Sequence, residues 1–167
     1  MLSDNLGYYL NLYNIWSGYA VESEGVVIAY TSVYGNTKRA ALLLAEKLKE
    51  LGCERVVVND LARCDMAEAI EDAFRYGKLV LATTTYNGDI FPFMRTFIEG
   101  LTERNYQNRK IAFIENGSWA PVATKIMSQM FEKSKNLEFA ENGIKIFSAL
   151  TAENLKQIDC LAEELMK

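Results

Sequence analysis

Val26-Val27-Ile28-Ala29-Tyr30-Thr31-Ser32-Val33-Tyr34-Gly35-Asn36-Thr37 passes from an unbroken apolar run, through a small polar loop, into a segment with helical spacing. The apolar run is short, and apolar and polar residues do not alternate in it. That pattern predicts a strand covered on both faces. A helix is predicted next, over 37–51. Ala41, Leu44, Leu48 and Leu51 recur on one side of it, with Lys38, Arg39, Glu46, Lys47, Lys49 and Glu50 on the other. Gly52 stands where a residue just past a helix end belongs. Strand, polar loop and helix start together aim backbone N–H groups at one point, a place suited to an anion.

The same pattern recurs along the chain. Strands are predicted over 26–31, 55–59, 78–83, 109–114 and 143–148, and helices over 37–51, 66–76, 92–103, 121–134 and 151–166. Pro92 and Pro121 fall at predicted helix starts, where the missing N–H costs nothing. Thr151 is a candidate N-cap, and Leu155, Ile158, Ala162 and Leu165 form the apolar stripe of the last helix. Five strand–helix units with short connections predict an α/β fold: a doubly wound, five-stranded parallel sheet with helices on both faces. Such a sheet binds its ligand at the carboxyl ends of its strands. The loops 31–37, 83–91 and 115–120 all follow strands and gather at that edge.

Composition narrows the chemistry. A chain of 167 residues, half of them apolar, suits one domain with a sizeable core. A formal charge of −4 argues against nucleic acid, which asks for a basic footprint. No apolar stretch is long enough to span a bilayer, and the N-terminus lacks a signal-peptide pattern, so a cytoplasmic protein is expected. Cys53, Cys64 and Cys160 are widely spaced and read as free thiols in a reducing compartment. The chain has no histidine, which removes Ser-His-Asp and Cys-His catalysis and the usual imidazole metal sites. Its chemistry must come largely from a cofactor.

The three loops supply candidate contacts. Thr31, Ser32, Val33, Tyr34, Gly35, Asn36 and Thr37 offer hydroxyls and helix-start N–H groups for a phosphate, without a Walker or G-x-G-x-x-G pattern. Thr84, Thr85, Tyr86, Asn87 and Gly88 form a turn with access to positive φ, whose peptide could present C=O or N–H to a ring nitrogen. Asn116, Gly117, Ser118 and Trp119 place an indole in a polar loop, as a stacking platform or as a lid. Glu115 is either a charge near the site or a solvated residue. A planar, phosphate-bearing cofactor, FMN, fits this set.

Residues 1–24 stand apart from the five units, so the chain divides into an N-terminal aromatic helix with a linker and a domain over 25–167. Leu6, Tyr9, Leu10, Tyr13 and Trp16 fall at helical spacing, leading into a linker from Gly18 to Gly25. The aromatics Tyr8, Tyr9, Tyr13, Trp16 and Tyr19 suit a neighbouring domain or chain, or packing back onto their own domain.

At these residues the chain resembles a known family. The segment 25–167 is similar to a flavodoxin-like domain with strand order 2-1-3-4-5, and Ser32-x-Tyr34-Gly35-Asn36-Thr37 matches its phosphate loop. Tyr34 sets it apart from simple flavodoxins, which usually have Thr there. Thr85-Tyr86-Asn87-Gly88-x-Ile90-Phe91-Pro92 and Glu115-Asn116-Gly117-Ser118-Trp119-Ala120-Pro121 resemble the C-terminal flavodoxin domain of flavodiiron proteins. Quinone reductases of the tryptophan-repressor-binding-protein type differ at both places. Tyr13-Asn14-Ile15-Trp16-Ser17-x-Tyr19 resembles the connection between the two flavodiiron domains.

The resemblance implies an electron-transfer module. Its donor would be a rubredoxin-like protein or an NAD(P)H-dependent reductase, and its acceptor a di-iron domain that reduces oxygen or nitric oxide. That metal domain is absent from this sequence, so the chain is either part of a longer protein or works with a separate partner. The family organisation implies a head-to-tail homo-oligomer. Asp89 stands where the family commonly has Gly, and a carboxylate near the flavin would disfavour its anionic reduced form. The alternatives are an NAD(P)H-dependent quinone or flavin reductase on the same fold, and a non-flavin receiver domain. A receiver needs acidic residues where Thr31-Ser32 and Thr83 to Thr85 stand.

Overall fold

The computed structural model describes residues 5–167. In chain order it contains α1 (Leu6–Ser17), β1 (Ser23–Tyr30), α2 (Asn36–Glu50), β2 (Val56–Asp60), α3 (Met66–Arg75), β3 (Tyr76–Tyr86), β4 (Asp89–Ile90), α4 (Pro92–Thr102), β5 (Arg109–Asn116), α5 (Ala123–Met130), β6 (Leu137–Phe139), β7 (Ile144–Ile146) and α6 (Ala152–Leu165). The sheet runs β2-β1-β3-β5-β6, with every pair along this path parallel. β7 pairs in parallel with the second half of β5, so β6 and β7 share the fifth position. This is the expected 2-1-3-4-5 order.

The unbroken apolar runs have a simple cause: alternate residues of each central strand enter different cores. Val26, Ile28 and Tyr30 of β1, Val80 and Ala82 of β3, and Ala112 and Ile114 of β5 meet α2 and α6 on one face. Val27, Ala29, Leu79, Leu81, Ile111 and Phe113 meet α3, α4 and α5 on the other. Each fully buried Val, Leu or Ile contributes about 1.5–3 kcal/mol relative to exposure. A polar residue on either face of these strands therefore breaks one core or the other.

Helix ends follow local chemistry. After α2, Gly52 takes φ 89 and Cys53 N–H returns to Leu48 C=O at 2.9 Å, closing a Schellman motif. Asp65 caps α3 through Ala67 N–H and Glu68 N–H. Thr151 caps α6 in a reciprocal box with Asn154.

Five expectations need correction. The strand expected over 143–148 is only Ile144–Ile146, and an unexpected strand, Leu137–Phe139, shares its sheet position; the turn at Glu141–Gly143 between them is held by Glu164, which accepts from Glu141 N–H and Asn142 N–H. Pro121 precedes α5 by two residues instead of opening it. The linker is shorter, because Ser23 already lies in β1. Leu155 is exposed, and Leu161 takes its place on the buried stripe of α6. Leu51 likewise stays exposed, while Ala40 and Ala45 widen the buried face of α2.

Among the described residues no helix is long and apolar enough to cross a membrane.

Candidate functional site

The first loop ends at an open helix start. Gly35 is the N-cap of α2 with φ 89, a conformation that suits a residue without Cβ. Its N–H donates to Ser32 Oγ at 3.1 Å, which curls the loop. No side chain caps α2, so its first-turn N–H groups keep their donor capacity. Val33 and Tyr34 stand in solvent, Tyr34 at 93% exposure. Thr31 behaves differently. It is fully buried, and its Oγ1 lies 2.7 Å from Thr83 Oγ1, tying the ends of β1 and β3 together.

The second loop is a hairpin. β3 runs on past the sheet and pairs antiparallel with β4, Tyr86 opposite Asp89. Asn87 and Gly88 between them both take positive φ, 50 and 73, which matches the twist of a two-residue hairpin. Thr84 Oγ1 donates to Asn116 C=O at 3.2 Å, and Thr85 Oγ1 accepts from Val122 N–H at 3.1 Å. Tyr86 is exposed and meets Phe91 edge-on at 5.4 Å. Asp89 is not a free carboxylate. It pairs with Arg95 and accepts from Ile90 N–H at 2.7 Å, and the Arg95 contact first of all holds its pKa below the usual carboxylate value. The isolated negative charge expected at this position is therefore neutralised by α4.

The third loop is tied down by Asn116. Its Nδ2 donates to Thr37 Oγ1 at 3.3 Å and to Ser148 C=O at 3.4 Å, while its Oδ1 accepts from Ser148 N–H at 3.2 Å. One buried amide thus joins the start of α2, the end of β5 and the segment after β7. Gly117 N–H adds a bond to Ile146 C=O at 3.0 Å. Ser118 and Trp119 then turn outward, Trp119 at 89% exposure. Glu115 is neither in the loop cluster nor solvated. It is buried, accepts from Thr124 N–H in the first turn of α5 and pairs with Lys145 at 3.0 Å.

These loops enclose a cavity of about 360 Å³, lined by Ser32, Val33, Tyr34, Asn36, Thr37, Thr84, Thr85, Tyr86, Asn116, Gly117, Ser118 and Ser148. That volume falls in the range of ligand sites. Thr31, Gly35, Asn87, Gly88 and Trp119 lie outside its lining. Sequence reasoning missed Ser148. The apolar pattern carried the strand through it, whereas β7 ends at Ile146 and Ser148 takes φ 66, with no local turn signal to mark it. The lining holds no charged side chain, so an anion here meets hydroxyls, amides and the α2 N-terminus. Tyr34 and Trp119 are the two most exposed large hydrophobic side chains among the described residues. Two bare rings beside a polar cavity fit a flat, phosphate-bearing cofactor. Among the described residues no three His, Cys, Asp or Glu side chains gather as metal ligands do.

Residues 27–148 match the flavodoxin domain family. This chain belongs to that family. FMN is the cofactor of a flavodoxin domain, and the α2 start, the hydroxyl-lined cavity and the open rings fit it. The chain is similar to rubredoxin-oxygen oxidoreductase of Megalodesulfovibrio gigas, 20% identical over 142 residues, covering 85% of this chain and 35% of the relative. It is similar to the anaerobic nitric oxide reductase flavorubredoxin of Escherichia coli, 24% identical, covering 81% and 29%. In structure it resembles rubredoxin oxygen:oxidoreductase of Desulfovibrio gigas, with a TM-score of 0.88 at 18% identity over 97% of this chain and 40% of that one. The flavodiiron protein of Giardia intestinalis gives 0.85 at 21% identity, over 98% and 41%. The chain spans about a third of the length of the curated relatives it matches.

Proposed function

We propose that this chain is the FMN electron-transfer module of a flavodiiron-type oxygen or nitric oxide reductase, passing electrons to a di-iron centre on another domain or chain. Residues 1–24 serve as the interdomain-type segment of such a system, and 25–167 as the flavin domain. A rubredoxin-like protein or an NAD(P)H-dependent reductase, acting in the cytoplasm, supplies the electrons. The observation that carries this reading is the convergence of three strand-end loops on one uncharged, hydroxyl-lined cavity with two bare rings beside it.

FMN supplies one- and two-electron chemistry when bound; the chain supplies position and environment. Ser32, Tyr34, Asn36, Thr37 and the uncapped N–H groups of the first turn of α2 would hold the phosphate, with Gly35 shaping the loop through its bond to Ser32. Thr84, Thr85 and Tyr86 would edge the ring, and Asn87 and Gly88, at the tip of the hairpin beyond the cavity lining, could offer a peptide C=O or N–H to it. Asn116, Gly117, Ser118 and Trp119 cover the other side. Val33 and Tyr34 shield the mouth from water, and Thr31 holds β1 to β3 beneath it.

The test is to add FMN to the purified chain and follow quenching of flavin fluorescence and the bound visible spectrum. Saturable binding is expected, together with electron delivery from the reduced chain to a separate di-iron reductase. A chain that takes up no FMN overturns the flavin reading. Steady NAD(P)H-driven quinone turnover without a partner replaces the carrier reading with a reductase.

A further inference from the structure

We infer that Ser148 brings a fourth loop to the phosphate end of the cavity, its hydroxyl donating to a phosphate monoester held at the start of α2. The inference rests on the FMN reading of the cavity and adds a residue from outside the three loops that carry that reading. The segment after β7 has no phosphate-loop pattern, and only the fold brings it to the other three.

The backbone is the first observation. Ser148 takes φ 66, and Ala149 N–H donates to Phe147 C=O at 2.8 Å, so the chain closes a three-residue turn about Ser148. A three-residue turn with positive φ at its centre is the rare, strained kind. Among the described residues, four of the seven non-glycine residues with positive φ are Asn, which tolerates it; serine does not share that tolerance. Such a conformation persists only where the surroundings impose it, and it collects at ligand sites. Here Asn116 and Gly117 impose it. Ser148 N–H donates to Asn116 Oδ1 at 3.2 Å, Asn116 Nδ2 donates to Ser148 C=O at 3.4 Å, and Gly117 N–H donates to Ile146 C=O at 3.0 Å.

The same clasp sets the position. Asn116 Nδ2 also donates to Thr37 Oγ1 at 3.3 Å, so one amide nitrogen joins Ser148 to the first turn of α2. Ser148 therefore stands at the end of the cavity that holds Asn36, Thr37 and the uncapped helix start. Its N–H and C=O are both committed to Asn116, which leaves the hydroxyl to offer. The lining contains no Lys or Arg, so a phosphate dianion there is held by neutral donors, each forming a charge-assisted bond. Riboflavin ends in a hydroxyl where FMN carries its phosphate, and gains only a neutral bond that water replaces. Ser148 thus favours the phosphorylated flavin over the bare one.

Titration of FMN and of riboflavin into the purified chain, followed by quenching of flavin fluorescence, tests this in wild type, Ser148→Ala and Ser148→Gly. Both variants should bind FMN roughly tenfold more weakly, the worth of one bond to a charged group. Riboflavin binding should stay within about twofold of wild type, since water re-pairs a neutral bond. Glycine suits φ 66, so the Ser148→Gly apoprotein should unfold at higher urea than Ser148→Ala, and its loss of FMN affinity reports the hydroxyl rather than the shape of the turn. Unchanged FMN affinity in both variants overturns the proposal. So does an equal loss for FMN and riboflavin, or a loss in Ser148→Ala that Ser148→Gly restores. Wild type that takes up neither flavin overturns the FMN reading and this inference with it, whereas wild type that binds FMN beside unaltered variants overturns the role of Ser148 alone.

Discussion

Asn116→Ala removes the one side chain that ties together three parts of the cavity wall. Three hydrogen bonds go with it: to Thr37 Oγ1 at 3.3 Å, to Ser148 C=O at 3.4 Å and from Ser148 N–H at 3.2 Å. A neutral hydrogen bond contributes a net of about 0.5–1.5 kcal/mol, and these sit toward the long end, so the total loss of stability is about 2 kcal/mol. Ser148 is exposed, so water can re-pair its backbone and the cost does not climb further. The unclasped loops must then be ordered when FMN binds, and an ordering cost of about 1.4 kcal/mol lowers affinity about tenfold. Asn116→Asp separates geometry from charge. It keeps an acceptor for Ser148 N–H and gains one for the Thr37 hydroxyl, but sets a negative charge beside the cavity. It should therefore unfold later in urea than the Ala variant. Urea unfolding of the apoprotein gives the first quantity, and quenching of flavin fluorescence the second. An Ala variant within about 0.5 kcal/mol of wild type, the range of an inert surface change, with unchanged FMN affinity, would refute the clasp.

Arg109 is buried, and among the described residues it has no carboxylate partner; its guanidinium donates instead to the carbonyls of Tyr19, Ala20, Phe74, Tyr76, Gln107 and Asn108. Lysine has three donors and no planar fork, so Arg109→Lys should cost about 3 kcal/mol in urea unfolding; a loss below about 1 kcal/mol would show the carbonyls re-paired by water. The Asp89–Arg95 pair gives a pH dependence. Because the folded pKa of Asp89 lies below its unfolded value, the pair stabilises the fold above about pH 4, and the gain fades as pH falls through the lower, folded value. Asp89→Asn should then be less stable than wild type at neutral pH, by under about 1 kcal/mol for so exposed a pair, and equal to it in strong acid. A difference that persists unchanged into acid would rule the pair out as its source.

What the chain carried locally was legible in the sequence. Doubly apolar strands such as 26–30 and 111–114 specify burial on both sides, and so a parallel sheet between helices. Asn87-Gly88 announced its positive φ, and Thr151 its cap, because turn and cap chemistry act over two or three residues. The ordered loops at the strand ends followed from the alternation itself. Other features depended on distant partners. Glu115 could not be assigned without Lys145 and Thr124, nor Asp89 without Arg95. Thr31 turned inward because Thr83 lies across from it on a neighbouring strand. Ser148 entered the cavity only because Asn116 reaches it from β5, and two short strands share the fifth position because Glu164 of α6 holds the turn between them. Periodicity reports which face a residue shows, whereas a hydrogen bond or ion pair across dozens of residues exists only after the sheet has brought its two ends together.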